Sequence, residues 1–179
     1  YIQRQKTKKN KEESEMNLEA GQNVVYGTSG VCRVDGIEVK SFDGIHKNKY
    51  CKLIPLGSGN SAYYIPVDTV EQKLRSLFTK EQVYDIIDHI PEEKQEWCTD
   101  KNRRKVIFSE TIKSEDYSKI ISMIMLLYAH KKIGKRLSPT DEKVMQTAEN
   151  MVYKEFATVL EIGVNEVADF IKNRISLRG

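Results

Sequence analysis

A chain of 179 residues, 39% of them apolar and 31% charged, has room for one medium domain or two small ones with well-solvated surfaces. Its formal net charge of +3 excludes a globally basic nucleic-acid binder: residues 1–15 carry five cations against three acids, a net of +2, which leaves +1 for the remainder. No apolar run reaches the roughly 18 residues of a membrane span, the start has no signal-peptide apolar region, and the separated Cys32, Cys51 and Cys98 read as free thiols of a cytoplasmic protein.

Taken in chain order, residues 1–17 are a charged low-complexity tail whose composition predicts disorder. From Asn23 to about Leu77 the pattern is β. NVVYG is a short strand followed by the turn formers Thr28, Ser29 and Gly30. VCRVDGIEV alternates until Gly36, where the break predicts a bulge. Asp43-Gly44 predicts a hairpin turn, NKYCKLIPL a further strand, GSGNS a second turn, and AYYIPV a strand ended by Pro66. Four to five short strands predict a small antiparallel SH3-like sheet, too small to bury much surface without leaning on a neighbour.

Beyond Leu77 the period becomes helical. Thr79 and Gln82 make a capping-box pattern, and Val83, Ile86, Ile87 and Ile90 form one stripe that Pro91 ends. A helix is expected from near Asp100. Another starts near Ser114, carries Ile120, Ile124, Leu127 and Tyr128, and stops near Gly134. Ser138-Pro139-Thr140-Asp141 opens a helix with Val144, Ala148, Met151, Val152 and Val159 on one face. Gly163 interrupts it, and Asn165 is the expected cap of a last helix bearing Val167, Phe170, Ile171 and Ile175. The expectation is an α+β chain of two domains: a β domain over 18–77 and an all-α domain of four or five helices over 78–179.

Chemistry is sparse. The three cysteines and three histidines never fall at metal-ligand spacing, so no metal or cofactor is expected. Cys98 has no histidine close in sequence, GSGN lacks the lysine and helix of a phosphate loop, and Glu92-Glu93 read as surface charges. Neither an enzyme nor a small-molecule substrate is implied. Binding surfaces remain. Lys101, Arg103, Arg104 and Lys105, with Asn102 among them, follow the only tryptophan, Trp97; on a helix they spread over more than half the circumference. A second cluster, Lys131, Lys132, Lys135 and Arg136, lies at a helix C-terminus, where the dipole alone favours cations. Trp97 belongs to no hydrophobic period. It reads either as a plug between two helices or as an apolar wedge beside phosphate-binding cations, and the local residues leave both open.

The order of NVVYGTSGVCRVDGIE, AYYIPV, EW…NRRK, SEDYSKIISMIMLL and LSPTDEKVMQTAENMVYKEFATVL resembles the CarD/CdnL family of bacterial transcription regulators, from about Leu18 to about Arg174. The resemblance implies a Tudor-like domain that binds the RNA polymerase β subunit and a helical domain that contacts promoter DNA. It further implies that the open complex is stabilised by a tryptophan wedged into the minor groove at the upstream edge of the bubble, with weak sequence preference. Carried over, Trp97 matches the wedge; Asn102, Arg103, Arg104 and Lys105 match the DNA-facing stretch; Tyr26, Lys40 and Tyr64 fall on the polymerase side. Lys40 and Tyr64 stand where some relatives carry arginines, and a lysine keeps the charge without the bidentate fork. A protein-only adaptor with a scaffolding helical half is the alternative.

Overall fold

The structure, a computed structural model, describes residues 18–57, 59, 61–91 and 95–177. The expectations placed on the tail 1–17, on Ser58 and Asn60 of the second turn, and on Glu92-Glu93 lie outside those residues.

The N-terminal part is one antiparallel four-stranded sheet in the order β1 (Asn23–Val25), β2 (Val31–Lys40), β3 (Asn48–Pro55), β4 (Tyr63–Pro66). The expected bulge is present: register slips between Val34 and Gly36, where Gly36 adopts φ 146°. That extra residue turns Val34 and Ile37, three apart, to the same side, opposite Leu53 and Cys51. Asp43-Gly44 does turn the chain, but within a longer loop. Asp43 Oδ1 accepts from the backbone N–H of Ile45 (3.0 Å) and His46 (2.8 Å), an arrangement no two-residue hairpin could hold. The inner face buries Val24, Cys32, Val34, Cys51, Leu53 and Ile65 against Val70 and Leu74, the former on the short helix α1 (Val70–Lys73).

Five further helices follow: α2 (Lys80–Asp88), α3 (Lys101–Lys113), α4 (Tyr117–Lys132), α5 (Pro139–Leu160) and α6 (Val167–Ser176). Their ends follow local chemistry. Thr79 and Gln82 close the expected capping box on α2, with bonds of 3.2 and 2.8 Å. Ser138 caps α5, with Pro139 at its first turn. Two ends differ from expectation. Helix α4 begins at Tyr117, not near Ser114, because Glu115 adopts φ 53° and Asp116 caps the helix by accepting from the Lys119 N–H. Asn165 caps nothing: it sits inside a 3-10 turn, Val164–Glu166, and Glu166 closes that turn by accepting from the Gly163 N–H at 2.6 Å. The helical core is built on α4 and α5, with Ile120, Leu127, Met151, Val152 and Phe156 essentially without solvent contact.

The sheet does lean on a neighbour, and the neighbour is α5. The Asn150 amide donates to the Ser29 carbonyl (3.2 Å), and Lys154 Nζ donates to the Leu56 carbonyl (2.6 Å). Gly30 adopts φ +72°, and a Cβ there would stand 3.1 Å from the Asn150 carbonyl oxygen, so both backbone and space call for glycine. Arg75, just after α1, reaches across the same joint. Its guanidinium donates to both Glu155 oxygens (2.7 and 2.8 Å) and to the Tyr117 hydroxyl (2.8 Å). Glu155 is fully buried and also accepts from the Phe78 N–H.

Candidate functional site

Asp100 starts the site. Its carboxylate accepts from the N–H groups of Asn102 (2.8 Å) and Arg103 (2.9 Å), capping α3 where the helix dipole favours a negative charge. From there, a spacing of four puts Arg104, Phe108 and Ile112 on one face, and all three are buried. Arg104 is therefore not a surface cation. Only 4% of it is exposed: Nε and Nη2 donate to the Asp141 carboxylate at 3.0 and 2.8 Å, and Nη1 donates to the Cys98 carbonyl at 2.8 Å. This corrects the expected phosphate contact at Arg104: the guanidinium is buried, and three of its five N–H donors are bonded inside the protein. Burial pushes the Asp141 carboxyl upward, but the bonds from Arg104 and Ser138 outweigh it and hold the group below its ordinary range.

Trp97 lies over this ion pair. The Arg104 guanidinium carbon is 4.5 Å from the ring centroid, and the His130 imidazole is stacked on the indole at 3.5 Å with planes 10° apart. Phe108 meets it edge-on at 6.4 Å. The indole is half-buried, packed on the helical core but not enclosed in it. Burial lowers the pKa of His130, and the nearby Lys135 and Arg104 lower it further, so the stacked ring favours its neutral form. Lys101, Asn102, Arg103 and Lys105 are exposed around the entrance of α3. Arg103 and Lys105 flank the Arg104 stripe on its two sides. Lys105, Ser109 and Lys113 share an outward face with Asn102, over a shallow recess of about 390 Å³ that also contains Glu110.

The sheet residues divide between two faces, because neighbouring residues on β4 point opposite ways. Tyr64 faces outward with Lys40, whose Nζ is 4.3 Å from the ring centroid, and with Phe42 and Tyr50. Hydrogen bonding to Tyr64 and Glu38 raises the Lys40 ammonium above its ordinary pKa. Tyr26 instead packs edge-on against Tyr63, 5.3 Å away on the core side. Lys40 and Tyr64 are thus brought together, and Tyr26 is separated from them. The outer edge of β1 is partly taken by a bridge from Val25 to Arg75; among the described residues, no strand pairs with the outer edge of β4.

Two family profiles match in tandem: the CarD-like/TRCF RID domain over residues 18–77 and the CarD C-terminal domain over residues 82–172. The chain belongs to the CarD-like family. Among curated proteins, no relative matches it. A CarD-like protein is a transcription-related factor that interacts with RNA polymerase, and the family is non-catalytic. Among the described residues of this CarD-like chain, no helix is long and apolar enough to cross a membrane, and no three potential metal-ligating side chains cluster.

Two residues that shape the Trp97 site escape a reading of the CarD-like sequence: Asp141 and His130. Asp141 shows locally as the third residue of a capping box, and it is that. Its second role, holding Arg104 from 37 positions away, has no local signal. His130 sits in the last turn of α4 among lysines, where the dipole accounts for it.

Proposed function

We propose that this CarD-like protein binds the β subunit of RNA polymerase through its sheet and promoter DNA through its helical domain, stabilising the open complex with Trp97 at the upstream edge of the bubble. The observation that carries the reading is the half-buried indole held over the Arg104–Asp141 pair beside the exposed Lys101, Arg103 and Lys105. An aromatic presented rigidly beside cations has the make-up of a minor-groove wedge, and a clamp lowers the entropy lost on insertion. Arg104 acts here as a positioning residue. Arg103 and Lys105, with Asn102, are the phosphate-facing groups. On the sheet, Lys40 and Tyr64 with the β4 edge form the polymerase-facing side, where main-chain pairing tolerates the loss of arginines found in relatives. Anchoring by polymerase raises the local concentration of the wedge, so intrinsic DNA affinity can stay weak and salt-sensitive.

The deciding experiment replaces Trp97 with alanine and measures polymerase co-purification and open-complex lifetime together. The expected result is retained polymerase binding with a shortened lifetime; an unchanged lifetime removes the wedge. The alternative, a protein-only adaptor in which Trp97 is a plug, is favoured by one observation, the His130 ring already stacked on the indole. Forked DNA discriminates between them: it changes the emission of a wedge and leaves that of a plug unaltered.

A further inference from the structure

Helices α4 and α6 both pack on α5 and leave a groove between them of about 660 Å³, floored by Tyr153. Its walls are Ile124 and Met125 on one side and Ile171 and Ile175 on the other. Met125 is 45% exposed, and with Tyr128 it leaves apolar surface open to water that neither helix covers. The rim carries Lys131, Lys132 and Lys172, and among the described residues no carboxylate lines the groove. Two acids bond groove residues without lining the groove: Asp169 pairs with Lys172 at 3.0 Å, which offsets that cation, and Glu149 accepts from the Tyr128 hydroxyl. Lys131 and Lys132 make no ion pair among the described residues. The dipole of α4 explains cations in its last turn, but not an apolar opening beside them.

We propose that this groove binds a small amphiphilic anion: an unbranched hydrocarbon chain along α4, with a carboxylate or similar head at Lys131 and Lys132. The stretch of α4 from Ile121 to Lys132 is about 16 Å long, close to an extended twelve-carbon chain. The volume lies within the roughly 300–1,000 Å³ of single small-ligand pockets, whereas a docked helix, about 10–12 Å across, would stand largely outside it. The chain's own N-terminal tail has the wrong sign, with its net charge of +2 over residues 1–15. Such a ligand is bound rather than turned over: the lining offers apolar surface, two tyrosines and the rim lysines.

The test uses the full chain with ¹³C-labelled methionine methyls, titrated with dodecanoate below its micelle concentration. A saturable shift at Met125 is expected, with the buried Met145, which does not line the groove, unmoved. Affinity should rise about fourfold for each CH₂ added from octanoate to dodecanoate and level off beyond the groove's length. Dodecyltrimethylammonium, with the same tail and opposite head, should bind at least tenfold more weakly. So should dodecanoate on the variant Lys131→Glu with Lys132→Glu, whose side chains are exposed and whose fold is checked by circular dichroism, because acids at that helix end oppose the dipole. Ala168→Phe should fill the groove and abolish the shift; if that variant does not fold, the lysine pair still decides. A shift that never saturates, equal affinity for both head groups, or a response to an acidic helical peptide but not to dodecanoate overturns the proposal.

Discussion

Two arginines, Arg75 and Arg104, are built into the same device and put to different ends. Each forks onto a buried carboxylate, Glu155 and Asp141 respectively, and each lies beside aromatic rings: Phe78 and Tyr117 for Arg75, Trp97 for Arg104. Around Arg75 the partners belong to the joint between sheet and helices; Tyr117 is buried and Phe78 half-buried. Around Arg104 the ring is half in water, while the guanidinium beneath it is buried. A buried ion pair is weak evidence for net stability; what these two share is fixed geometry. One fixes a domain joint, the other the attitude of a single indole.

Removing a carboxylate is the strongest way to break that comparison. Glu155→Ala leaves Arg75 without its counter-ion and the Phe78 N–H without its acceptor. The expected loss is about 3–5 kcal/mol, read as a lowered denaturant midpoint with uncoupling of the two domains. Asp141→Asn should cost less, about 2 kcal/mol, because asparagine keeps a side-chain acceptor for Arg104 whereas alanine leaves Arg75 none. Its signature is optical: emission of the only tryptophan shifts to the red, whereas Glu155→Ala leaves that emission in place while the helical domain stays folded. Equal spectral effects from the two variants would erase the distinction between joint and clamp.

Smaller effects sharpen the Trp97 side. His130 has a folded pKa below its unfolded value of about 6.5, so the unfolded chain binds more protons and stability rises with pH through this window. The contribution from the neutral stack is whole above about 6.5 and declines as pH falls towards the folded value. Titrating Trp97 emission between about pH 7.5 and 5 should show a transition that His130→Gln abolishes; Lys135, Arg104 and Asp141 are the charges facing the ring. Smallest for the fold are Arg103→Ala and Lys105→Ala, expected within about 0.5 kcal/mol because both side chains are exposed. Their effect belongs to DNA: each should lower the slope of affinity against salt by about one. An unaltered slope would return both to the solvated surface.

Much of the fold is readable along the chain. The Gly36 bulge, the Thr79 capping box, the Ser138 cap and the α2 stripe ending before Pro91 rest on neighbours a few residues apart, and each is where the pattern puts it. The two misplaced helix starts also have local causes: at α4 Glu115 adopts φ 53° and Asp116 takes the cap, and at α6 Asn165 lies inside a 3-10 turn that Glu166 closes. The burial of Arg104 was accessible too. It shares the spacing of Phe108 and Ile112, and the run of cations around it hides that period.

What the sequence by itself determined is therefore the division into a β part and an α part, the caps, the bulge, and membership of a family through the order of its motifs. Only the tertiary structure decided which carboxylate Arg104 meets inside, that Tyr26 stands apart from Lys40 and Tyr64, and that Trp97 lies half-covered between Arg104 and His130. The reason is physical. Caps and periods depend on contacts within a turn or two, whereas Arg104 meets Asp141 across 37 positions and Arg75 meets Glu155 across 80. Whether a polar side chain is surface or structure depends on what the rest of the chain lays over it.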